Sequence, residues 1–345
     1  MKTVTILGAG AMGSALAFPI SDRGHRVILW NRSPQVLDII KAGQPHPKLG
    51  VRMPENVELR YRDELGKAVE EADYIIIAVS SAGVKGVTEA IKPYVKDGQV
   101  LINVAKGLIE FNGEVMLIPE AIKRILRDKK VTIAAVTGPS LAKDVAARRL
   151  TVAVYSSEKI GVVKELKKEF ETDYYRIQVT DDIIGAEASA VLKNVYAIGI
   201  GWLDGLAERM GVEELRNAKA AFFTIALKEM AKIVKLLGGS EKTVIDQSGL
   251  GDLYVTVKGG RNGLFGRLLG KGLTPEQALN KIREMGLGVV EGYENTRHMY
   301  ALLKKLEGEG KVILEKELPF FTGICKVIYE GQKVDEAIEK ILTQI

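Results

Sequence analysis

The feature that most constrains the fold stands at the start of the chain. Thr3-Val4-Thr5-Ile6-Leu7 is a short apolar run rich in β-branched residues, which reads as a buried parallel strand. Gly8-Ala9-Gly10-Ala11-Met12-Gly13 follows at once, and Ser14-Ala15-Leu16-Ala17 opens a helix. A G-x-G-x-x-G sequence between strand and helix is the first turn of a βαβ unit that takes a dinucleotide. Gly8 permits the tight turn, Gly10 admits a pyrophosphate to the backbone, and Gly13 lets the helix pack on the strand. The pyrophosphate then rests on the helix N-terminus, where unpaired N–H groups and the dipole favour an anion.

More strand signals follow. Arg26–Trp30 reads as the second strand and ends in Asn31-Arg32-Ser33. An NAD-specific site usually places Asp or Glu here to hold the ribose 2′-hydroxyl. Asn31 and Arg32 suit a 2′-phosphate instead, so the cofactor reading is NAD(P), leaning to NADP. Residues 74–79 form another strand, closed by Ser80-Ser81, and residues 100–104 a further one, ending in Ala105-Lys106-Gly107. Residues 132–136 follow suit, leading into Thr137-Gly138-Pro139-Ser140 and a helix from Leu141. Ligands of open α/β sheets bind at the carboxyl ends of strands, which puts Lys106, Gly138 and Ser140 on the edge that carries the glycine loop. A solvated lysine and plain turn-and-cap chemistry are the alternatives for these positions, but neither accounts for the shared edge.

From Thr180 onward the strand signals stop and the chain becomes helical. The expected architecture is α/β: an N-terminal Rossmann domain, doubly wound on a mostly parallel sheet, over residues 1–180, then an all-α domain over 181–345. Residues 185–195, 198–211 and 215–237 have helix-compatible apolar spacing, and Thr274 caps a helix that opens on Pro275. Within the first of these lies Val191-Leu192-Lys193-Asn194-Val195. A lysine among few other charges either snorkels from an amphipathic helix or is buried against a partner, with a pKa that suits proton transfer. Asp252 and Thr256 follow the glycine-containing segment 249–251. Gly259-Gly260-Arg261-Asn262 offers a guanidinium fork and an amide on open backbone, an arrangement that suits a terminal phosphate; the alternative is an ordinary β-turn.

A length of 345 residues favours two domains. The net charge of +5 is spread along the chain, which argues for small anionic ligands and against nucleic acid, which needs a clustered patch. The single cysteine, Cys325, excludes an internal disulfide and fits a reducing cytoplasm. His25, His46 and His298 lie far apart without ligand spacing, so no metal is expected and all three read as structural or exposed. Residues 1–18 could pass for a secretory leader, but three glycines within six positions suit such a helix poorly. No run reaches the roughly 18 uninterrupted apolar residues of a membrane span.

Taken together, these segments resemble the NAD(P)-dependent glycerol-3-phosphate dehydrogenases nearly from end to end. The resemblance rests on the glycine loop, His46-Pro47 with Leu49-Gly50, Asp73 to Ser80, Lys106-Gly107, Gly138-Pro139-Ser140, Leu192-Lys193-Asn194-Val195, residues 249–253, Gly260-Arg261-Asn262 and Val290-Glu291-Gly292. Met12 departs from the pattern, since the family often has Trp or Phe there. The resemblance implies interconversion of dihydroxyacetone phosphate and sn-glycerol 3-phosphate, with glycerol phosphate supplied to phospholipid and glycerol metabolism. It implies Lys193 as proton donor, Lys106 as a group that polarises and binds substrate, and Asp252 as the residue that orients Lys193. Asn194, Thr256, Gly138 and Ser140 would contact substrate, and Arg261 with Asn262 would grip its phosphate. Gly8, Gly10, Ala11, Met12 and Gly13, then Asn31, Arg32 and Ser80, and finally Lys106, Arg261 and Glu291 would meet the cofactor. A homodimer is a further family expectation. The rival enzyme reading is a ketopantoate reductase or another β-hydroxyacid-type dehydrogenase, which should not need the phosphate-gripping segment 259–262. A cofactor-binding redox sensor without turnover is the rival from another class.

Overall fold

The computed structural model describes residues 1–344. Ten strands run in chain order as β1 (Thr3–Leu7), β2 (Arg26–Trp30), β3 (Val57–Arg60), β4 (Tyr74–Ile77), β5 (Val100–Asn103), β6 (Leu108–Phe111), β7 (Glu114–Leu117), β8 (Thr132–Thr137), β9 (Thr151–Ser156) and β10 (Tyr175–Thr180). The chain divides into two compact units. One comprises Met1–Ile109 and Leu117–Glu187, the other Glu110–Met116 and Ala188–Ile345.

The first unit is built on an eight-stranded sheet of order β10-β9-β8-β5-β4-β1-β2-β3. Every neighbouring pair is parallel except β8 with β9. The sheet thus starts in its interior at β1, grows outward through β2 and β3, then crosses to β4 on the other side. That reversal creates a crevice at the carboxyl ends of β1 and β4, the place where open α/β sheets take ligands. Strands β1, β2, β4, β5 and β8 stand where the sequence pattern puts them, to within two residues at each end. The pattern did not reveal β3, β9 and β10. β3 is a short edge strand whose residues are all half-buried, and β10 alternates buried and exposed positions at the opposite edge. Neither gives the continuous apolar run of a central parallel strand. The core is close-packed around Phe170, which meets His25, Tyr74 and Tyr155 edge to face.

The spacing of residues 185–195 and 198–211 suggests two helices, but both stretches fall on one helix of 28 residues, Ile183–Met210, whose residues from Ala188 onward belong to the second unit. Nothing interrupts it, because every residue from 185 to 203 is buried, and a helix apolar on all sides is a core helix. Among the described residues it alone is long and apolar enough to cross a membrane, but 94% of its most apolar window is buried inside the protein. Helix Arg261–Gly270 lies directly on it, backbone against backbone. A Cβ at Gly266 would stand 1.9 Å from the Ile198 carbonyl oxygen, and one at Gly270 2.2 Å from that of Trp202. Only glycine fits there. Phe320 fills the adjoining core, with Tyr196, Trp202 and Phe222 packed edge-on around it. The N-terminus of its helix is capped by buried Glu229, which accepts from the Phe320 and Phe321 N–H groups at 2.8 Å and from the Tyr196 hydroxyl at 2.8 Å.

Two buried carboxyls carry raised pKa values. Burial pushes Glu187 up to about 8 and Glu229 up to about 7, both from an ordinary 4.5. A folded-state value above the unfolded one means that the folded chain keeps protons which the unfolded chain releases between about pH 4.5 and 8. The stability so contributed is complete below about pH 4.5 and declines as the pH rises through that window. Glu187→Gln is therefore expected to flatten the fall in denaturant midpoint between about pH 5 and 8, one proton corresponding to roughly 1.4 kcal/mol per pH unit. A mutant whose pH profile parallels that of the wild type would contradict this.

Candidate active site

The carboxyl edge of the first sheet carries the glycine loop. Gly8 has φ +121°, and a Cβ there would stand 2.7 Å from the Ala78 carbonyl oxygen. At Gly13 a Cβ would stand 2.2 Å from the carbonyl oxygen of Gly8 itself, so helix Ala11–Asp22 closes onto the loop. Gly10, by contrast, faces open space, with no atom nearer than 3.9 Å to its notional Cβ. The helix behind it has no side-chain cap and no acidic residue in its first turn. An uncapped N-terminus with room above it fits the pyrophosphate of a dinucleotide.

Ala9, inside the loop, is pinned through both backbone groups. Its N–H donates to Asn31 Oδ1 at 3.1 Å, and its carbonyl lies 3.2 Å from His46 Nε2. His46 is fully buried, and its Nδ1 accepts from the Lys48 N–H at 3.2 Å. That bond assigns the proton to Nε2, which donates to Ala9. Burial holds the imidazole below its ordinary pKa, which favours the neutral tautomer this arrangement needs. Asn31 spends its remaining donor on the Ser33 carbonyl at 2.8 Å, while Arg32 beside it is exposed. His46 is thus structural, as its isolation in the sequence suggests, but what it supports is the dinucleotide loop. Sequence spacing gives no signal of a contact across 37 residues.

The remaining candidates of this unit follow strand ends on the same edge. Ser80 stands at the N-cap position of helix Ser81–Ile91 after β4 without a side-chain capping bond, and the Ser81 hydroxyl donates to the Lys106 carbonyl at 3.0 Å after β5. Gly138, after β8, has φ +89°, and Ser140 folds back so that its N–H donates to the Gly138 carbonyl at 2.9 Å.

In the second unit Lys193 is buried to a side-chain exposure of 10%, and its Nζ lies 2.6 Å from Asp252 Oδ1. It also donates to Thr256 Oγ1 at 3.0 Å, while the Thr256 hydroxyl donates to the Asp252 carbonyl at 2.6 Å. Asp252 opens helix Asp252–Val257 directly after a single turn of π-helix, Gln247–Gly251. Such wide turns occur often at functional sites. Lys193 is thus paired rather than snorkelling, as a buried ammonium must be. The next residue, Asn194, accepts at Oδ1 from Asn262 Nδ2 at 2.8 Å and donates to Glu291 Oε2 at 3.4 Å. Asn262 Oδ1 accepts from the Gly292 N–H at 2.9 Å. Residues 192–195, 260–262 and 290–292, scattered in sequence, form one network.

Residues 259–262 are a helix start rather than a β-turn. Gly260, with φ +101°, caps helix Arg261–Gly270, so Arg261 is its first residue. The Arg261 side chain is 41% exposed, with Nη2 3.9 Å from Glu291 Oε1 and Nη1 3.4 Å from the Leu287 carbonyl. An exposed guanidinium at a helix N-terminus without a side-chain cap is suited to a phosphate dianion.

A dinucleotide cradle on a doubly wound sheet and a buried lysine–carboxylate pair in a helical unit define a class: a nicotinamide-dependent dehydrogenase with a helical second unit. Residues 3–163 match the family model of the NAD-dependent glycerol-3-phosphate dehydrogenase N-terminus, and residues 182–339 that of its C-terminus. The NADP(+)-dependent glycerol-3-phosphate dehydrogenase of Archaeoglobus fulgidus is 41% identical over 99% of both chains. The glycerol-3-phosphate dehydrogenase [NAD(P)+] of Clostridium botulinum is 31% identical over 99% of this chain and 97% of its own. Among solved structures, the glycerol-3-phosphate dehydrogenase of Coxiella burnetii superimposes with a TM-score of 0.83 at 28% identity, covering 99% of this chain and 98% of that one. The chain belongs to the NAD(P)-dependent glycerol-3-phosphate dehydrogenase family.

The support of the glycine loop by His46 is open to a direct test. His46→Ala is expected to weaken NADPH binding by about tenfold, the cost of one lost buried hydrogen bond at a loop that must hold its shape. Fluorescence titration of the nucleotide measures it, and an unchanged dissociation constant would show that the loop holds without the imidazole.

Proposed function

We propose that the chain is a glycerol-3-phosphate dehydrogenase that interconverts dihydroxyacetone phosphate and sn-glycerol 3-phosphate, with NADP(H) as the preferred cofactor. The observation that carries this reading is the buried Lys193–Asp252 pair at 2.6 Å, adjoining the Asn194–Asn262 network and the Arg261 helix start. The glycine loop with its uncapped helix holds the dinucleotide, and Asn31 in place of an acid leaves Arg32 to meet a 2′-phosphate. Met12, Ser80 and Glu291 complete the cofactor contacts. When bound, the reduced nicotinamide supplies the hydride that reaches substrate C2.

This chain's residues do the rest. Lys193 gives a proton to the C2 oxygen as negative charge develops there. A preorganised donor at such an oxygen is worth on the order of 10²–10³ in rate. Asp252 and Thr256 fix the direction of the ammonium, and Asp252 offsets its charge where both side chains are buried. Lys106 binds substrate and polarises its carbonyl, while Asn194, Gly138 and Ser140 hold the oxygen substituents. Arg261 and Asn262 grip the phosphate, and this remote binding energy positions C2 for reaction. The glycerol phosphate feeds phospholipid and glycerol metabolism in the cytoplasm, and the chain works as a homodimer.

Purified protein, given NADPH or NADH with dihydroxyacetone phosphate or with ketopantoate, is expected to turn over only the phosphorylated ketone. Turnover of ketopantoate alone would overturn the assignment. Arg261→Ala is expected to raise KM for dihydroxyacetone phosphate by about tenfold or more, the loss of one charge-assisted contact, with cofactor affinity near normal. An unchanged KM would remove Arg261 from the phosphate site. Arg32→Ala is expected to weaken NADPH more than NADH, and equal loss for both would refute the 2′-phosphate contact.

A further inference from the structure

The carboxyl end of β5 is tied by a chain of buried hydrogen bonds that the proposed reaction does not use. Asn103, the last residue of β5, is fully buried. Its Nδ2 donates to the Ala105 carbonyl at 2.8 Å, and its Oδ1 accepts from the Ala105 N–H at 3.1 Å. One carboxamide therefore satisfies both backbone groups of the residue before Lys106, closing a tight ring where the strand stops. The second Nδ2 hydrogen goes to Glu187 Oε1 at 3.1 Å, and Glu187 is only 1% exposed. An asparagine carboxamide turns broadly about its last torsion, and the bond it donates to Glu187 is a further anchor against that turning. From the other side the Ser81 hydroxyl holds the Lys106 carbonyl at 3.0 Å. Lys106 thus leaves a backbone fixed on both flanks.

Burying a carboxyl is costly, and this one has a single hydrogen-bond donor, with Oε2 unpartnered. Burial raises its pKa, with the Asn103 hydrogen bond and the Lys106 charge acting the other way. A residue that served stability alone would be better replaced by an apolar one of the same volume.

We propose that Glu187 is a positioning residue for Lys106, acting through the Asn103 carboxamide and the Ala105 backbone to set the direction in which the lysine leaves the end of β5. This rests on the role proposed above for Lys106 in binding and polarising substrate. A lysine displaced by an ångström at a reacting carbonyl costs up to about 10²-fold in rate.

The test is a double-mutant cycle on the full-length enzyme, with dihydroxyacetone phosphate and NADPH. Glu187→Met keeps the volume and removes the acceptor; it is expected to lower kcat/KM by about 10–100-fold while the NADPH dissociation constant stays within about twofold. Glu187→Gln, which still accepts from Asn103, is expected to restore most of that activity. In a Lys106→Ala background Glu187→Met is expected to cost less than about twofold further, because both changes then remove the same contribution. If Lys106→Ala is impaired and the two losses multiply, Glu187 acts elsewhere and the proposal falls. If Glu187→Gln is as poor as Glu187→Met, the hydrogen bond is not what matters and the proposal also falls. If Lys106→Ala itself changes nothing, the role assigned to Lys106 fails, and the positioning role fails with it. Should Glu187→Met not fold, Asn103→Ala runs the same cycle from the other end of the bond, with the same expected coupling to Lys106.

Discussion

The arrangement of the second unit depends on one requirement, that an ammonium taken out of water must meet a carboxylate. Breaking a buried ion pair from one side leaves an uncompensated charge and costs several kcal/mol, so Lys193 cannot be buried unless Asp252 is delivered to it. The turn of π-helix at Gln247–Gly251 delivers it, setting Asp252 at the start of its helix with the carboxylate 2.6 Å from Nζ. Thr256, one turn further on, supplies the second acceptor at 3.0 Å. The pair is thus a local consequence of two helices meeting at a fixed register.

A second register on the same helix, that of Arg261–Gly270, is held by close approach of main chain to main chain. Gly266 and Gly270 let helix Arg261–Gly270 lie on the Lys193 helix with no side chain between them. The approach brings Asn262 to Asn194 and leaves Arg261 exposed at the helix start. A larger residue at either glycine would push the Arg261 end of that helix away from the lysine. The Gly13 contact in the first unit is of the same kind: helix Ala11–Asp22 closes on Gly8 so that its free N–H groups meet the space above Gly10. In each unit glycine-mediated packing places the candidate residues, and the charged side chains occupy what that packing leaves open.

Much of this was legible in the sequence, though unevenly. The glycine loop, the central parallel strands and the change to helix after Thr180 are local properties, each carried by a contiguous run. Lys193, Asp252, Asn194, Asn262 and Glu291 stood out by their motifs, and within the helical unit the structure pairs Lys193 with Asp252 and links Asn194 to Asn262 and Glu291. His46, Asn103 and Glu187 did not stand out as supports of the site. A lone histidine, an asparagine at a strand end and a glutamate early in a helix are ordinary residues until their partners are known. The edge strands were missed for a related reason, since half-buried alternation over four to six residues resembles loop.

The sequence by itself determined the doubly wound dinucleotide unit, the helical second half and the family, because strand runs, glycine turns and motif spacing are set by near neighbours along the chain. Only the tertiary structure decided which groups are paired. Lys193 and Asp252 are 59 residues apart, Asn194 and Asn262 68, and Asn103 and Glu187 84. Each bond is fixed by how helices and strands pack, and packing is a property of surfaces that no local stretch contains. The tertiary structure alone also made one helix of two apparent ones and decided that residues 259–262, whose alternative reading was a β-turn, form the N-terminus that presents Arg261. The single long helix follows from burial: a segment enclosed on all sides keeps its backbone bonded to itself, and helix is the form that does so without a neighbour.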